Sequence, residues 1–154
     1  MIRETQKDIT LSGRKWRIKR FSAMVGSYIC LKILSKISHI VVGMIGGELK
    51  DPAIIASSIS NELCSLSKSE LFDIQRECLA VCSEIQSVAG VDAPIPVFTE
   101  DWKWGVANLE TDVLTVMALT VHTLIFNLSP FFDVSVLKEA FGSFPDFTQP
   151  KQPI

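Results

Sequence analysis

Histidine is scarce in this chain of 154 residues: His39 and His122 are the only two. A structural zinc site needs four His or Cys ligands at set spacings, and no CxxC pair accompanies them. Cys78 and Cys82, four apart, offer two thiolates on one helical face, but nothing completes the set. Reduced thiols in an apolar core are the plainer reading. Nucleophilic catalysis needs a base held by an orienting group. His122 lies in the most apolar stretch, with no acid on its face, which predicts a core histidine. The patterns GxSxG, HExxH and GxGxxG are missing. The run GMIGG at 43–47 lacks the Lys-Ser/Thr of a phosphate loop. Glu100 and Asp101 are chain neighbours that solvate a loop. These absences point to a non-catalytic protein that needs no metal and no cofactor.

The N-terminus has no apolar run, so no secretory signal is expected. Charge is unevenly spread. Residues 1–20 hold seven of the fifteen Lys and Arg against Glu4 and Asp8, leaving an acidic remainder. A basic lobe of this kind suits nucleic acid or an acidic protein, or simply a solvated hairpin surface.

The stretch 109–132, LETDVLTVMALTVHTLIFNLSPFF, carries no charge after its opening acids. Its length approaches that of a membrane span. Thr115, Thr120, His122, Thr123, Asn127 and Pro130 argue instead for a central, buried helix, apolar on most sides.

Residues 5–20 read as a β-hairpin about a Ser12-Gly13 turn. A two-residue loop sets Leu11 opposite Arg14, Ile9 opposite Trp16 and Lys7 opposite Ile18. Ile9, Leu11, Trp16 and Ile18 then share one face, and Thr10, Lys15, Arg17 and Lys19 the other. Helices are expected near 22–40, 52–66, 68–88, 109–128 and 134–141. Ser22 caps the first, whose buried stripe is Val25, Ile29, Ile33 and Ile37, broadened by Tyr28, Leu31 and Leu34. Asp51-Pro52 starts the second, and Ser67-Lys68-Ser69-Glu70 forms a capping box for the third. The third carries Leu71, Ile74, Cys78, Val81, Cys82, Ile85 and Val88 at three-and-four spacing, and Gly90 ends it. Residues 90–105 are irregular, because Pro94 and Pro96 forbid a helix. The expected fold is mainly α: one helical domain over 1–142 with an N-terminal hairpin, and a flexible Pro-rich tail over 143–154.

Two groups of large apolar residues fall outside the regular stripes. Trp102 and Trp104 stand two apart on a loop, as a lid on the core or a partner contact. Phe131, Phe132, Val136, Leu137 and Phe141 follow the break at Pro130, either capping the core or meeting a partner. A partner helix in an apolar groove is the recognition mode such residues fit.

Two stretches carry a family likeness. DITLSGRKWRIKRFSAMVGSYI (8–29) is a polar hairpin with a Phe-Ser entry into a helix. TLIFNLSPFF (123–132) is a helix end with an N-x-x-x-F-F pattern. Together, with amphipathic helices between them, they resemble the tail assembly chaperones of long-tailed bacteriophages and prophages over roughly 8–142. The resemblance implies a small, mainly helical protein of the host cytoplasm, absent from the mature virion. It implies binding to the aggregation-prone tape measure protein and recruitment of tail tube subunits around it. It also implies a longer frameshifted form in many genomes, with this chain corresponding to the short form. Two other roles fit the residues: a small structural tail or head-tail joining protein, and a nucleic-acid-binding regulator using the basic hairpin.

Overall fold

The computed structural model describes residues 4–34 and 52–132. The first hairpin forms in the expected register. Strands β1 (Gln6–Leu11) and β2 (Arg14–Lys19) pair with Leu11 opposite Arg14, Ile9 opposite Trp16 and Lys7 opposite Ile18. Ser12 and Gly13 both hold positive φ, 51° and 77°, the mirror-image turn whose twist matches a hairpin.

The fold is not mainly α. Four helices accompany a four-stranded antiparallel sheet of order β1-β2-β3-β4 among the described residues. Helices α1 (Ala23–Leu34) and α2 (Pro52–Ser65) fall where expected, as far as they are described. The helix expected over 68–88 is two elements instead. Helix α3 (Lys68–Ala80) gives way to strand β3 (Cys82–Val88), which turns into β4 (Val91–Pro96). A four-residue spacing such as Val81 to Ile85 keeps one helix face but, being even, also keeps one strand face. The helical pattern was therefore ambiguous. Pairing with β2 decides it, because β2 in a lone hairpin would leave a buried row of backbone groups unpaired. Gly90 does not end a helix. With Ala89 (φ 53°) it makes a second mirror-image turn.

The prolines of 90–105 sit in an edge strand. Val97 N–H donates to Cys82 C=O at 3.1 Å, so odd-numbered residues of this segment face β3. Pro94 and Pro96 fall on the outward phase, where the missing donor costs no ladder bond.

Helix α4 (Val113–Leu128) starts later than the expected 109, capped by Asp112. Asp112 Oδ1 accepts from Thr115 N–H at 3.1 Å, and Thr115 Oγ1 donates to Oδ2 at 2.6 Å. These bonds, the Thr115 hydroxyl first, hold the Asp112 carboxyl below its ordinary pKa. Leu109 remains buried, but in the turn before the helix.

The helix serves two cores. Leu119 and Phe126 join Trp16, Ile18, Leu79, Cys82, Val97, Val106 and Leu109 against the sheet. Leu124 and Leu128 join Ile29, Ile33, Ile59, Ile74 and Cys78 among α1, α2 and α3. Its first turns are not buried on most sides, however. Val113, Leu114 and Met117 are 69%, 75% and 56% exposed, and His122 is exposed rather than a core residue. Among the described residues no helix is long and apolar enough to cross a membrane.

Candidate functional site

An open groove of about 510 Å³ runs between α1 and α3. Val25, Tyr28 and Ile29 form one wall, Ile74 and the stems of Asp73, Arg76 and Glu77 the other, and Trp102 closes one end. That volume lies within the roughly 300–1,000 Å³ usual for clefts that take a ligand or a few side chains. Ser22 positions the first wall. Its Oγ accepts from Val25 N–H at 3.4 Å and starts α1. Ser67 positions the second in the same way, through Glu70 N–H at 3.3 Å. The rest of the capping box is not made. Glu70 turns instead toward Lys32, 3.4 Å away, which ties α3 to α1. Tyr28 and Glu70 hold the Lys32 ammonium above its ordinary pKa.

Trp102 comes from a loop with its own hydrogen bonds. Phe98 and Trp104 form an antiparallel bridge. Thr99 N–H donates to Lys103 C=O at 2.8 Å, and Gly105 N–H donates to Val97 C=O at 2.7 Å. At the tip Trp102 is left-handed, φ 58°. A bulky side chain there costs roughly 1–2 kcal/mol. The ring is 46% exposed, lies 4.1 Å from the Arg76 guanidinium and touches Phe98 with centroids 5.9 Å apart. Trp104 touches the same Phe98 ring, with centroids 4.9 Å apart. Half-buried, it packs on the sheet-side core, whereas Trp102 is exposed.

The other expected site residues lie elsewhere. Phe131 and Phe132 belong to a 3₁₀ turn, Ser129–Phe132, that follows α4. Val136, Leu137 and Phe141 lie outside the described residues, as do the helix expected over 134–141 and the tail over 143–154. The wall residues Tyr28 and Arg76 were missed. The signal for Tyr28 is a second apolar row on α1. Met24, Tyr28 and Leu31 repeat at four and three residues, and all are exposed, Met24 by 84%. Tyr28 and Leu31 thus lie outside the buried stripe that they were expected to broaden.

The basic lobe is largely committed to internal partners. Arg14 pairs with Glu84. Arg17 bonds Asp8 at 2.9 Å, with Lys15 3.8 Å from the same carboxylate. Arg20 stacks 3.8 Å over the Phe126 ring and donates to the Phe126 carbonyl. The thiols are not a metal pair on one helix. Cys82 lies on β3, its Sγ 3.2 Å from Cys78 C=O and 3.2 Å from Thr123 Oγ1. No group of three or more His, Cys, Asp or Glu able to hold a metal occurs among the described residues.

The two stretches that carried the likeness meet in space. Phe21 N–H donates to Asn127 Oδ1 at 2.9 Å. Asn127 Nδ2 donates to Lys19 C=O at 3.3 Å and to Thr123 C=O at 3.0 Å. One side chain thus fixes the crossover from sheet to helix layer. No curated protein and no solved structure matches the chain. The family model for phage tail assembly chaperone proteins matches residues 12–148, and the chain belongs to that family.

Proposed function

We propose that this chaperone binds the tape measure protein of its phage, keeps it soluble and helps recruit tail tube subunits around it, without catalysis. It acts in the host cytoplasm and leaves before the virion is complete. A helical segment of the tape measure protein lies in the groove between α1 and α3, with an apolar side chain against Trp102 and Tyr28. The observation that carries this reading is Trp102 itself: a large ring, half-exposed, held at a groove wall by a strained backbone. Strain of that kind persists where surrounding structure enforces it, and it clusters at ligand clamps. Asp73 and Glu77, one turn apart on the groove wall, favour a segment with Lys or Arg beside its apolar anchors. Trp104 supports the loop from beneath. Phe131, Phe132, Val136, Leu137 and Phe141 are further candidates for contact with the partner.

Co-expression with the tape measure protein tests this reading. The expected result is that the wild type keeps the partner soluble and co-purifies with it, while Tyr28→Ala and Trp102→Gly release it. An insoluble partner at matched expression, or full retention by both variants, refutes the groove. Mass spectrometry of purified particles separates a chaperone, which is absent, from a joining protein, which stays.

A further inference from the structure

The two edges of the sheet are built differently. On β4, Pro94 and Pro96 occupy the outward phase, so no N–H points away from the sheet at those positions. Proline is one of the devices by which natural sheets close an edge to further strands. Strand β1 has no proline, and its only charges are Lys7 and Asp8. Lys19 N–H donates to Val81 C=O at 3.0 Å, so odd residues of β2 face β3 and even residues face β1. The β1 partners of Arg14, Trp16 and Ile18 are Leu11, Ile9 and Lys7. Gln6, Asp8 and Thr10 therefore aim their N–H and C=O outward, and all three residues are exposed. Helix α4 lies mainly over β2.

We propose that β1 is a self-association edge: two copies of this chain pair their β1 strands antiparallel about Ile9, giving one continuous eight-stranded sheet. The sequence of β1 is compatible with a second copy of itself in an antiparallel register. A two-fold axis normal to the sheet keeps each residue on the same face in both copies, so only same-parity residues can oppose one another. Centring on Asp8 sets two carboxylates face to face, which is unfavourable. Centring on Ile9 sets Ile9 against Ile9, Leu11 against the Lys7 stem, and Thr10 against Asp8. In that register Asp8 and Thr10 of each copy, both on the outward phase, exchange backbone hydrogen bonds twice. Ile9 falls at the close, non-bonded pair, where side chains touch best. Five residues a side, Lys7 to Leu11, make a small contact, so the association is reversible and concentration-dependent.

Sedimentation velocity of the full chain over a hundredfold concentration range provides the test. The expected result is a monomer that becomes a dimer as concentration rises. Thr10→Pro removes an outward donor and leaves the β1–β2 ladder untouched; it abolishes the dimer with an unchanged circular dichroism spectrum. Thr10→Asp and Thr10→Lys test the register. Thr10 is also paired with Lys15 inside the chain, so Thr10→Asp favours the folded hairpin while setting a charge against Asp8 of the other copy. Thr10→Asp weakens the dimer several-fold and Thr10→Lys tightens it, opposite to their effects on the hairpin. A wild type that stays monomeric throughout, or a Thr10→Pro protein that still dimerises, overturns the proposal. Equal dimerisation of the Asp and Lys variants overturns the Ile9 register.

Discussion

Replacing Trp102 by glycine and, separately, by alanine isolates the backbone conformation at the tip of the loop. Both changes remove the same ring. Both lose the Arg76 contact, worth about 0.5–1 kcal/mol at a half-exposed site. Both lose the contact to Phe98, worth about 0.5–1.5 kcal/mol. The variants differ only in a Cβ. At an ordinary loop position glycine is the less stable of the two by roughly 0.5–1 kcal/mol, because it has more freedom to lose on folding. At φ 58° the Cβ of alanine meets the left-handed penalty of about 1–2 kcal/mol, which glycine escapes. The order therefore reverses, with glycine more stable by about 0.5–1 kcal/mol. Urea denaturation followed by the fluorescence of Trp16 and Trp104 reads this directly. With a slope of roughly 1–3 kcal/mol per molar, the midpoints should differ by about 0.2–1 M. An alanine variant as stable as the glycine variant refutes the left-handed assignment, and with it the idea that strain holds the ring at the groove. The glycine variant is then the one to carry into partner-binding assays, since it loses the ring while disturbing the loop least.

Four further outcomes follow from the geometry. A Cβ at Gly105 would lie 2.5 Å from the Pro96 carbonyl oxygen, so Gly105→Ala should cost about 1–3 kcal/mol in a thermal or urea melt. Asn127→Ala leaves Phe21 N–H without its acceptor, and should cost about 1–3 kcal/mol, while Asn127→Asp restores that acceptor and recovers part of the loss. Burial pushes the Cys30 and Cys82 thiols up to about 11 and the Cys78 thiol well above its ordinary value, whereas Cys64 is exposed. Ellman's reagent at mildly alkaline pH should therefore find one fast thiol in the native chain and four after denaturation. The carboxyls of Asp8, bonded by Arg17, and Asp112, bonded by Thr115, sit below their ordinary value of 3.8. Their contribution to stability is complete above that value and is lost as pH falls through the lowered folded values. The melting temperature should stay level on mild acidification and then drop, and Asp112→Ala should make that drop shallower.

The hairpin was legible because two independent signals agreed, the Ser12-Gly13 turn and the alternation of Ile9, Leu11, Trp16 and Ile18. Helix starts at Ser22, Pro52 and Ser67 were legible because caps are local chemistry. The second hairpin was not. Val81 and Ile85 fit both periods, Ala89-Gly90 is a weak turn signal, and the prolines are acceptable only on an edge, which tertiary pairing creates. Of the site, Trp102 could be singled out as a large ring on a loop. Its greater exposure than Trp104 could not, since that depends on how the loop folds, with a positive φ at Trp102. The groove was invisible because its walls are some fifty residues apart, and tertiary contacts such as Lys32–Glu70 and the shared Ile29–Ile74 core bring them together.

A polar Asn in an otherwise apolar helix end invites a functional reading, yet its partners argue otherwise. Between β2 and α1 the chain leaves the sheet, so Lys19 C=O and Phe21 N–H have no helix or strand partner beyond this point. Backbone groups in that position need a partner from elsewhere. Asn127 supplies both an acceptor and a donor from a helix that already packs on both cores. Arg20 adds its stacking on Phe126 at the same corner. The residues that make the chain look like its family, Phe21 and Asn127 among them, are therefore partly residues that hold sheet and helices together. They support the scaffold rather than the recognition surface. On the proposed function, partner choice rests instead on exposed apolar side chains, the Met24, Tyr28 and Leu31 row of α1 and Trp102 among them.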